Sequence, residues 1–171
     1  PGWEHVVKNL KTVPVVALAL GPTAGLGAAR MVASHYSVMV RGLSQIFTAG
    51  PAVVSGLGTG EHLDKEQLGG ADIHARNGVI DDEAESEDQA FAMARAFLSY
   101  LPSYAGAPPG RRDTGDRPDR KEKALISAVP ENSREAYSMR KILEMVADKG
   151  SVFEMGKRWG RAAITAFARF D

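Results

Sequence analysis

The 171-residue chain contains no cysteine, so neither disulfide bonds nor thiol chemistry hold it together. A second absence is local: no aspartate or glutamate occurs between His5 and Gly60, although basic residues do. A site in this region therefore has no nearby carboxylate for general acid–base chemistry. It must act through backbone amides, or its proton-transfer group must come from elsewhere.

Long apolar runs and a net charge are also missing. A membrane-spanning helix needs roughly 20 apolar residues, and no run in this chain approaches that length. The 21 basic and 21 acidic residues give a formal net charge of zero, so no polyanionic partner is implied. Basic residues of 111–123 alternate with acidic ones and lack interleaved aromatics. We therefore expect neither a membrane nor a nucleic acid as a partner.

The stretch Val13–Val40 organises the chain. Its pattern predicts, in order, a strand buried on both faces over Val15–Leu20, a turn at Gly21-Pro22, a glycine-rich turn at Gly25-Leu26-Gly27, a helix over Ala28–Ser34 and a strand over Tyr36–Val40. The first amides of a helix have no partner within it, and the helix start carries partial positive charge. This geometry suits an anion, or an oxygen that becomes one.

The glycines do not specify the anion. A phosphate-binding loop would need a lysine after the second glycine, and the sixth position from Gly21 is Leu26. A dinucleotide fingerprint would need a third glycine where Arg30 stands. Two interpretations stay open: an oxyanion hole, or a turn that only lets a helix pack closely on a strand.

Other signals predict structure more than chemistry. We expect an Asp64–Gln67 capping box, an extended segment over Ala71–His74, a turn at Asn77-Gly78, a solvated acidic run over 81–88 and a Ser86-capped helix over Glu87–Leu101. Beyond a proline- and glycine-rich linker at 102–136, a helix over Met139–Lys149 and strands over Ser151–Met155 and Ala163–Phe170 follow. His62, Asp72 and His74 match no zinc-binding spacing, so no metal site is predicted.

Four blocks of the sequence occur in a familiar order and spacing: GPTAGLGAARMVASHYSVMV, SQIFTAGPAVV, KEQLGGADIHARNGVID and FLSYLP. Together they resemble the carboxyltransferase (beta) subunits of biotin-dependent acyl-CoA carboxylases, such as propionyl-CoA and methylcrotonyl-CoA carboxylases. Tyr137–Asp171 is similar to the opening of that family's second domain. The resemblance implies an α/β, crotonase-like fold of repeated ββα units.

The resemblance also implies a domain organisation. Residues 1–101 would end the acyl-CoA-binding domain, 102–136 would connect the domains, and 137–171 would start the biotin-side domain. By this comparison the chain is a middle fragment, or a shortened homologue, and would be inactive alone.

The implied reaction moves CO2 from carboxybiotin to the α (or vinylogous) carbon of an acyl-CoA through a thioester enolate. The implied oxyanion hole consists of the backbone amides of Gly25 and Leu26, where leucine replaces a family glycine. The acyl-CoA is expected near Gly27, Ala28, Gly50 and Pro51. A structural role is expected for His74.

The implied partners are a biotin carboxylase or biotin carboxyl carrier subunit, with biotin carried on that partner, and further copies of the chain in a hexamer. The expected compartment is the cytoplasm, or the mitochondrial matrix in a eukaryote. Two alternatives remain: a biotin-dependent acyl-CoA decarboxylase subunit, or a non-catalytic acyl-CoA-binding scaffold.

Overall fold

A computed structural model describes residues 2–57 and 63–170. The helices are α1 (Trp3–Asn9), α2 (Leu26–Val32), α3 (Pro51–Gly56), α4 (Lys65–Gly69), α5 (Ala71–Asn77), α6 (Glu87–Ser99) and α7 (Met139–Val146), with a 3-10 helix at Lys123–Ser127. The strands are β1 (Val16–Ala19), β2 (Thr23–Ala24), β3 (Tyr36–Val40), β4 (Ile46–Phe47), β5 (Asp82–Ala84), β6 (Phe153–Met155) and β7 (Thr165–Phe167). Among these helices, none has the length and apolar character needed to cross a bilayer.

The chain folds into two compact units. One consists of Pro1–Ser99 with Gly156–Ala162, and the other of Tyr100–Met155 with Ala163–Asp171. The predicted domain assignment of 1–101, 102–136 and 137–171 stays a prediction.

The first unit is built on a parallel sheet in the order β1-β3-β5. Strand β3 is central and all five of its residues are buried, which confirms the predicted strand over Tyr36–Val40. The predicted helix is confirmed as α2, although it begins two residues earlier, at Leu26. The prediction that β1 is buried on both faces is wrong, because only Ala19 is buried and β1 lies at the end of the described sheet.

A second, shorter parallel pair fixes the glycine-rich turn. Strands β2 and β4 pair with Thr23 opposite Ile46 and Ala24 opposite Phe47. The Thr23 N–H donates to the Gln45 carbonyl at 2.7 Å, and the Gly25 N–H donates to the Phe47 carbonyl at 3.1 Å. The start of α2 is therefore held directly against β4.

The extended segment predicted over Ala71–His74 is wrong, because these residues form the first turns of α5. Ala71 and Ala75 are one helical turn apart and are both buried, so the helix packs closely through small side chains. Gly69-Gly70 after the capping box predicts that α4 ends in a C′ glycine, but Gly70 is extended, with φ of −70°, and precedes α5. Gly78, with φ of 78°, ends α5 in that role.

The first part of the acidic run is not a solvated helix entry, because Asp82–Ala84 form β5 beside the central strand, whereas Glu85, Glu87 and Asp88 are exposed and lead into α6 as predicted. The carboxylates of Asp81, Asp82 and Glu83 are buried or half-buried beside hydrogen-bond donors. Asp81 accepts from the Ser37 N–H and hydroxyl, both at 2.8 Å. Glu83 pairs with Arg41 and with Arg158, which belongs to the same unit, and both arginines hold the pKa of this carboxyl below its usual range.

Helix α6 confirms the predicted helix and its cap. The Gln89 N–H donates to the Ser86 hydroxyl at 3.2 Å, and the Glu85 N–H donates to the Gln89 side chain at 2.6 Å. The core face carries Ala90 and Phe97. The sequence predicts instead a stripe at the core or at a subunit interface, formed by Phe91, Ala94, Leu98 and Leu101. Phe91 and Leu98 are exposed, so they do not belong to the core, and the subunit interface stays a prediction.

In the second unit the predicted helix is confirmed as α7, but it ends at Val146 rather than Lys149. Ser138 caps its start through a 3.4 Å hydrogen bond from the Lys141 N–H. Strands β6 and β7 are antiparallel. Arg120 connects the proline-rich segment to the C-terminal end of α7. Its guanidinium donates hydrogen bonds to the Met145 and Ala147 carbonyls at 2.9 and 2.7 Å.

The pair of Tyr36 and Asp82 links β3 to β5 inside the sheet. The Tyr36 hydroxyl donates to Asp82 Oδ2 at 2.9 Å, and the Tyr36 ring stacks on Phe97 with centroids 5.0 Å apart. Burial raises the pKa of Asp82 to about 6, against opposing effects of the Tyr36 hydroxyl and of Lys157. The folded protein therefore favours a neutral Asp82 below that pH and holds a carboxylate above it.

We expect Tyr36→Phe to lower the free energy of unfolding by about 1.5–3 kcal/mol at pH 7.5, because a buried carboxylate loses its hydroxyl donor. The ring stack with Phe97 is retained. The loss should shrink at pH 5, where Asp82 is protonated and its acceptor is no longer charged. Urea unfolding at both pH values measures this difference.

The matched control is Tyr100→Phe, since the Tyr100 hydroxyl donates to the neutral carbonyl of Ser151. Its effect should be the same at both pH values. An equal effect of Tyr36→Phe at pH 5 and 7.5 would show that Asp82 does not change charge between them.

Candidate functional site

A cavity of about 500 Å³ lies in the first unit, bordered by α2, β4, α3, α4 and α5. Apolar side chains dominate its wall, among them Val32, Phe47, Val54, Leu68 and Val79. The polar side chains of the wall are those of Thr48 and His74. Within the described part of the chain no carboxylate lines it.

The first turn of α2 borders this cavity, because Gly25, Ala28 and Ala29 belong to the wall. Gly25 precedes the helix with φ of 59° and ψ of −124°, a conformation that favours glycine, and no side chain caps the helix. The intrahelical bonds begin with the Ala29 N–H donating to the Gly25 carbonyl. Among the described residues, the amides of Leu26 and Gly27 have no acceptor, as expected for the start of a helix.

The two predicted oxyanion-hole residues differ in whether their backbone amide is free to donate a hydrogen bond to a ligand. The Gly25 amide already donates to the Phe47 carbonyl, whereas the Leu26 amide has no acceptor in the described chain. The Leu26 side chain is 63% exposed and is not part of the cavity wall. The leucine that replaces a family glycine therefore leaves the cavity open in this chain.

Gly27 supports the packing interpretation of the turn. A Cβ atom at this position would lie 2.7 Å from Thr23 Cγ2, so glycine lets α2 start directly above β2. Both interpretations of the glycine-rich turn thus describe part of the structure: Gly27 provides close packing, and Leu26 presents an unengaged amide.

Gly50 and Pro51 start α3, Gly50 as its N-cap and Pro51 in the first turn. Neither residue lines the cavity, although their neighbours Ala49 and Val54 do. Their direct contact with a ligand stays a prediction.

His74, for which a structural role is predicted, connects α5 to β4 and also belongs to the cavity wall. Its Nε2 lies 2.8 Å from the Ile46 carbonyl, and its Nδ1 is buried with no hydrogen-bond partner among the described residues. The interpretation of 71–74 as extended hid its position on a helix facing β4. The i, i+4 pair Ala71 and Ala75, followed by Gly78, is the signal that would have placed it there.

The described residues contain no group of three or more histidine, cysteine, aspartate or glutamate side chains that could hold a metal ion. His62, the third residue of the zinc-site comparison with Asp72 and His74, lies outside the described residues.

Residues 4–171 match the protein family described as "Carboxyl transferase domain". The chain belongs to this family. It is 36% identical over 93% of its length to the methylmalonyl-CoA decarboxylase subunit alpha of Veillonella parvula, and 32% identical over the same share to the propionyl-CoA carboxylase beta chain of Roseobacter denitrificans. It spans 31% of each of these relatives, about a third of their length.

Solved structures agree with this assignment. Transcarboxylase 12S with bound hydrolysed methylmalonyl-CoA matches 98% of the chain, using 32% of its own length, with a TM-score of 0.89 and 27% identity. A single-chain long-chain acyl-CoA carboxylase matches 99% of the chain, using 16% of its own length, with a TM-score of 0.80 and 26% identity. The predicted family and the α/β, crotonase-like fold are confirmed.

The contact between α4 and β4 yields a prediction. A Cβ atom at Gly69 would lie 2.2 Å from the Ile46 carbonyl oxygen, so Gly69→Ala must separate α4 from β4. We expect it to lower the free energy of unfolding by about 1–3 kcal/mol, as overpacking does. Chemical denaturation of the purified full-length protein measures this change.

Gly56→Ala is the matched control, because a Cβ atom at Gly56 meets nothing within 4 Å. At this helical position alanine should be neutral or slightly stabilising. Equal stability of the two variants would contradict the close approach of α4 to β4.

Proposed function

We propose that this chain provides the acyl-CoA side of a carboxyltransferase that moves CO2 from carboxybiotin to the α (or vinylogous) carbon of an acyl-CoA. The observation that carries the proposal is the start of α2: Gly25 and Ala28 line an apolar cavity, and the amide of Leu26, which lies between them in the sequence, has no acceptor among the described residues. Membership of the carboxyl transferase family supports the same reaction class. The chain spans 31% of the length of the Veillonella relative, so we propose for it a part in this reaction rather than the whole activity.

The chain's own contribution is electrostatic. As the α proton leaves, negative charge develops on the thioester oxygen, and a helix-start amide stabilises that charge. An apolar wall strengthens this interaction by keeping the local dielectric constant low. The biotin group, carried on a partner protein or domain, supplies the CO2 and accepts the proton, which fits a cavity whose described wall contains no carboxylate.

We assign the principal donor to Leu26. The Gly25 amide can contribute only by sharing its hydrogen with the Phe47 carbonyl, so its first role is to form the turn. Gly27 and Ala28 complete the first turn of α2, and Gly50 and Pro51 position the cavity-lining Ala49 and Val54. We further propose a biotin-bearing partner and a homohexamer, since the structure of transcarboxylase 12S is described as a hexamer assembly.

Leu26→Pro tests this assignment. Proline is tolerated at the first position of a helix and removes only the amide hydrogen, so the fold should survive. We expect kcat to fall about 100- to 1,000-fold, the effect of losing one oxyanion-hole donor. The measurement is carboxylation of propionyl-CoA by the full-length polypeptide with its biotin-bearing partner.

Leu26→Ala is the control, because it shortens the side chain and keeps the amide. It should retain kcat within a few-fold. A Leu26→Pro variant that is folded and fully active would exclude the Leu26 amide as a donor.

A specific observation favours a second candidate function. The Veillonella relative, at 36% identity, is a methylmalonyl-CoA decarboxylase subunit, so the reaction could run as biotin-dependent decarboxylation. The complex should be assayed in both directions: ATP-dependent carboxylation of propionyl-CoA, and ATP-independent CO2 release from methylmalonyl-CoA. Acyl-CoA binding with turnover in neither direction would instead support a non-catalytic scaffold.

A further inference from the structure

We propose that Arg158 is a positioning residue for the acyl-CoA cavity, because it ties α5, which contributes to the cavity wall, to β5 of the central sheet. The inference rests on the proposed function, since the ligand whose binding it affects is the acyl-CoA. It depends on the ion pairs of Arg158, on the packing of Trp159 and on the residues that α5 brings to the wall.

Arg158 and Trp159 belong to the first unit through the segment Gly156–Ala162. The Trp159 N–H donates to the Gly156 carbonyl at 3.0 Å, and Gly156 and Gly160 have φ values of 66° and 60°. Glycines with positive φ at both places allow a tight turn. The turn therefore presents the two large side chains next to each other.

Arg158 bridges two carboxylates that belong to different elements. Its Nη2 lies 2.6 Å from Oδ1 of Asp72, in the first turn of α5, and its Nη1 pairs with Oε1 of Glu83, in β5. The side chains of Glu83 and Arg158 are only 10% and 27% exposed, so solvent screens their contact less than it screens a pair on an open surface. The bridge thus fixes the first turn of α5 relative to the sheet.

Loss of Arg158 would leave neither carboxylate without a cation. Asp72 also pairs with Arg76, within α5, and Glu83 also pairs with Arg41. Each of these arginines neutralises one of the two carboxylates, whereas Arg158 contacts both. The specific contribution of Arg158 is therefore the connection between the two elements rather than the neutralisation of a buried charge.

Trp159 contacts the opposite end of α5. A Cβ atom at Gly78, which follows the helix, would lie 2.7 Å from Cδ2 and from Cε2 of Trp159, so the indole ring lies directly against this backbone. The turn thus holds α5 near both ends. Val79, the residue after Gly78, belongs to the cavity wall, and so does His74 within the helix. A displacement of α5 would therefore change the shape of the cavity.

The start of α2 is held independently of this turn. Its position depends on the Gly25 N–H, which donates to the Phe47 carbonyl of β4. Loss of Arg158 should therefore loosen one wall of the cavity and leave the proposed oxyanion donor in place. A wall that must become ordered when the ligand binds lowers affinity, because the cost of ordering is subtracted from the binding free energy. Binding should thus suffer more than the chemical step.

The test variant is Arg158→Met, which removes the guanidinium and keeps an unbranched apolar side chain. We expect the Kd for propionyl-CoA to rise about tenfold, as for other substitutions that act on a ligand site without touching the ligand. KM should rise with it, and kcat should stay within about twofold of the unmodified value. Calorimetric binding and carboxylation kinetics of the full-length polypeptide with its biotin-bearing partner measure these quantities.

Two matched controls remove a cation from the same carboxylates and keep the bridge. Arg41→Met acts on Glu83 and Arg76→Met on Asp72, and each should leave the Kd within about twofold, as expected for exposed ion pairs. An increase in Kd equal to that of Arg158→Met in both controls would show that charge, and not the connection, matters. That result would overturn the inference.

A double-mutant cycle tests whether Arg158 acts through α5. Asp72→Ala removes the α5 end of the bridge, so it should raise the Kd about as much as Arg158→Met does. The double variant should bind no more weakly than either single variant, because both changes remove one contact. Fully additive losses would show that Arg158 acts through another contact and would contradict its role.

A conservative variant keeps the inference testable if Arg158→Met fails to fold. Lysine retains the charge, but a single ammonium group lacks the two-armed geometry of guanidinium, so Arg158→Lys should bind propionyl-CoA more weakly than the unmodified protein. Amides of α5 should also exchange their hydrogens faster in this variant, whereas those of β3 should not. Unchanged affinity and unchanged exchange in α5 would overturn the inference.

The outcomes distinguish this inference from the proposed function. If the unmodified full-length protein does not bind propionyl-CoA, the proposed function fails. If it binds and turns over propionyl-CoA, and the folded Arg158→Met variant binds equally well, the function stands and the positioning role of Arg158 is wrong.

Discussion

The two-residue strand β4 is the constraint on which the candidate site depends. Its Phe47 carbonyl accepts the Gly25 amide and fixes the start of α2. Its Ile46 carbonyl accepts His74 Nε2 and fixes α5, and this approach is possible only because Gly69 has no side chain at the point of closest contact. Both carbonyls of one short strand thus determine where the surrounding helices lie. The cavity is the space left between them.

Local signals predicted the elements whose stabilising contacts are close in sequence. The strand over Tyr36–Val40, the Asp64 capping box and the Ser86 cap of α6 are all confirmed. The prediction failed for the first residues of the acidic run, Asp81–Glu83, because their donors are distant: Tyr36 precedes Asp82 by 46 residues and Arg158 follows Glu83 by 75. No local pattern could reveal that these carboxylates would be buried with partners, since an unpartnered acidic run is normally exposed.

The candidate site was predictable in part. Resemblance of the glycine-rich block to a family located the turn at Gly25 and Leu26, and the structure places that turn at the border of the cavity. The engagement of the Gly25 amide depends on the register of β2 against β4, and two strands of two residues each carry too little pattern to set a register. The contact between His74 and Ile46 could not be predicted from a local pattern either, because the two residues are 28 positions apart.

The distribution of charge in the first unit explains how an apolar site is maintained in a chain with many ionised groups. The carboxylates of Asp72 and Glu83 are paired with Arg158, and Glu83 also with Arg41, so their charges are neutralised where they lie. None of these residues lines the cavity. Under the proposed function, a described wall without charged side chains leaves the backbone dipole at the start of α2 as the local electrostatic influence on the thioester. That dipole acts most strongly where no competing charge or bulk water screens it. The absence of acidic residues between His5 and Gly60 is therefore a condition for the proposed chemistry as well as a consequence of burial.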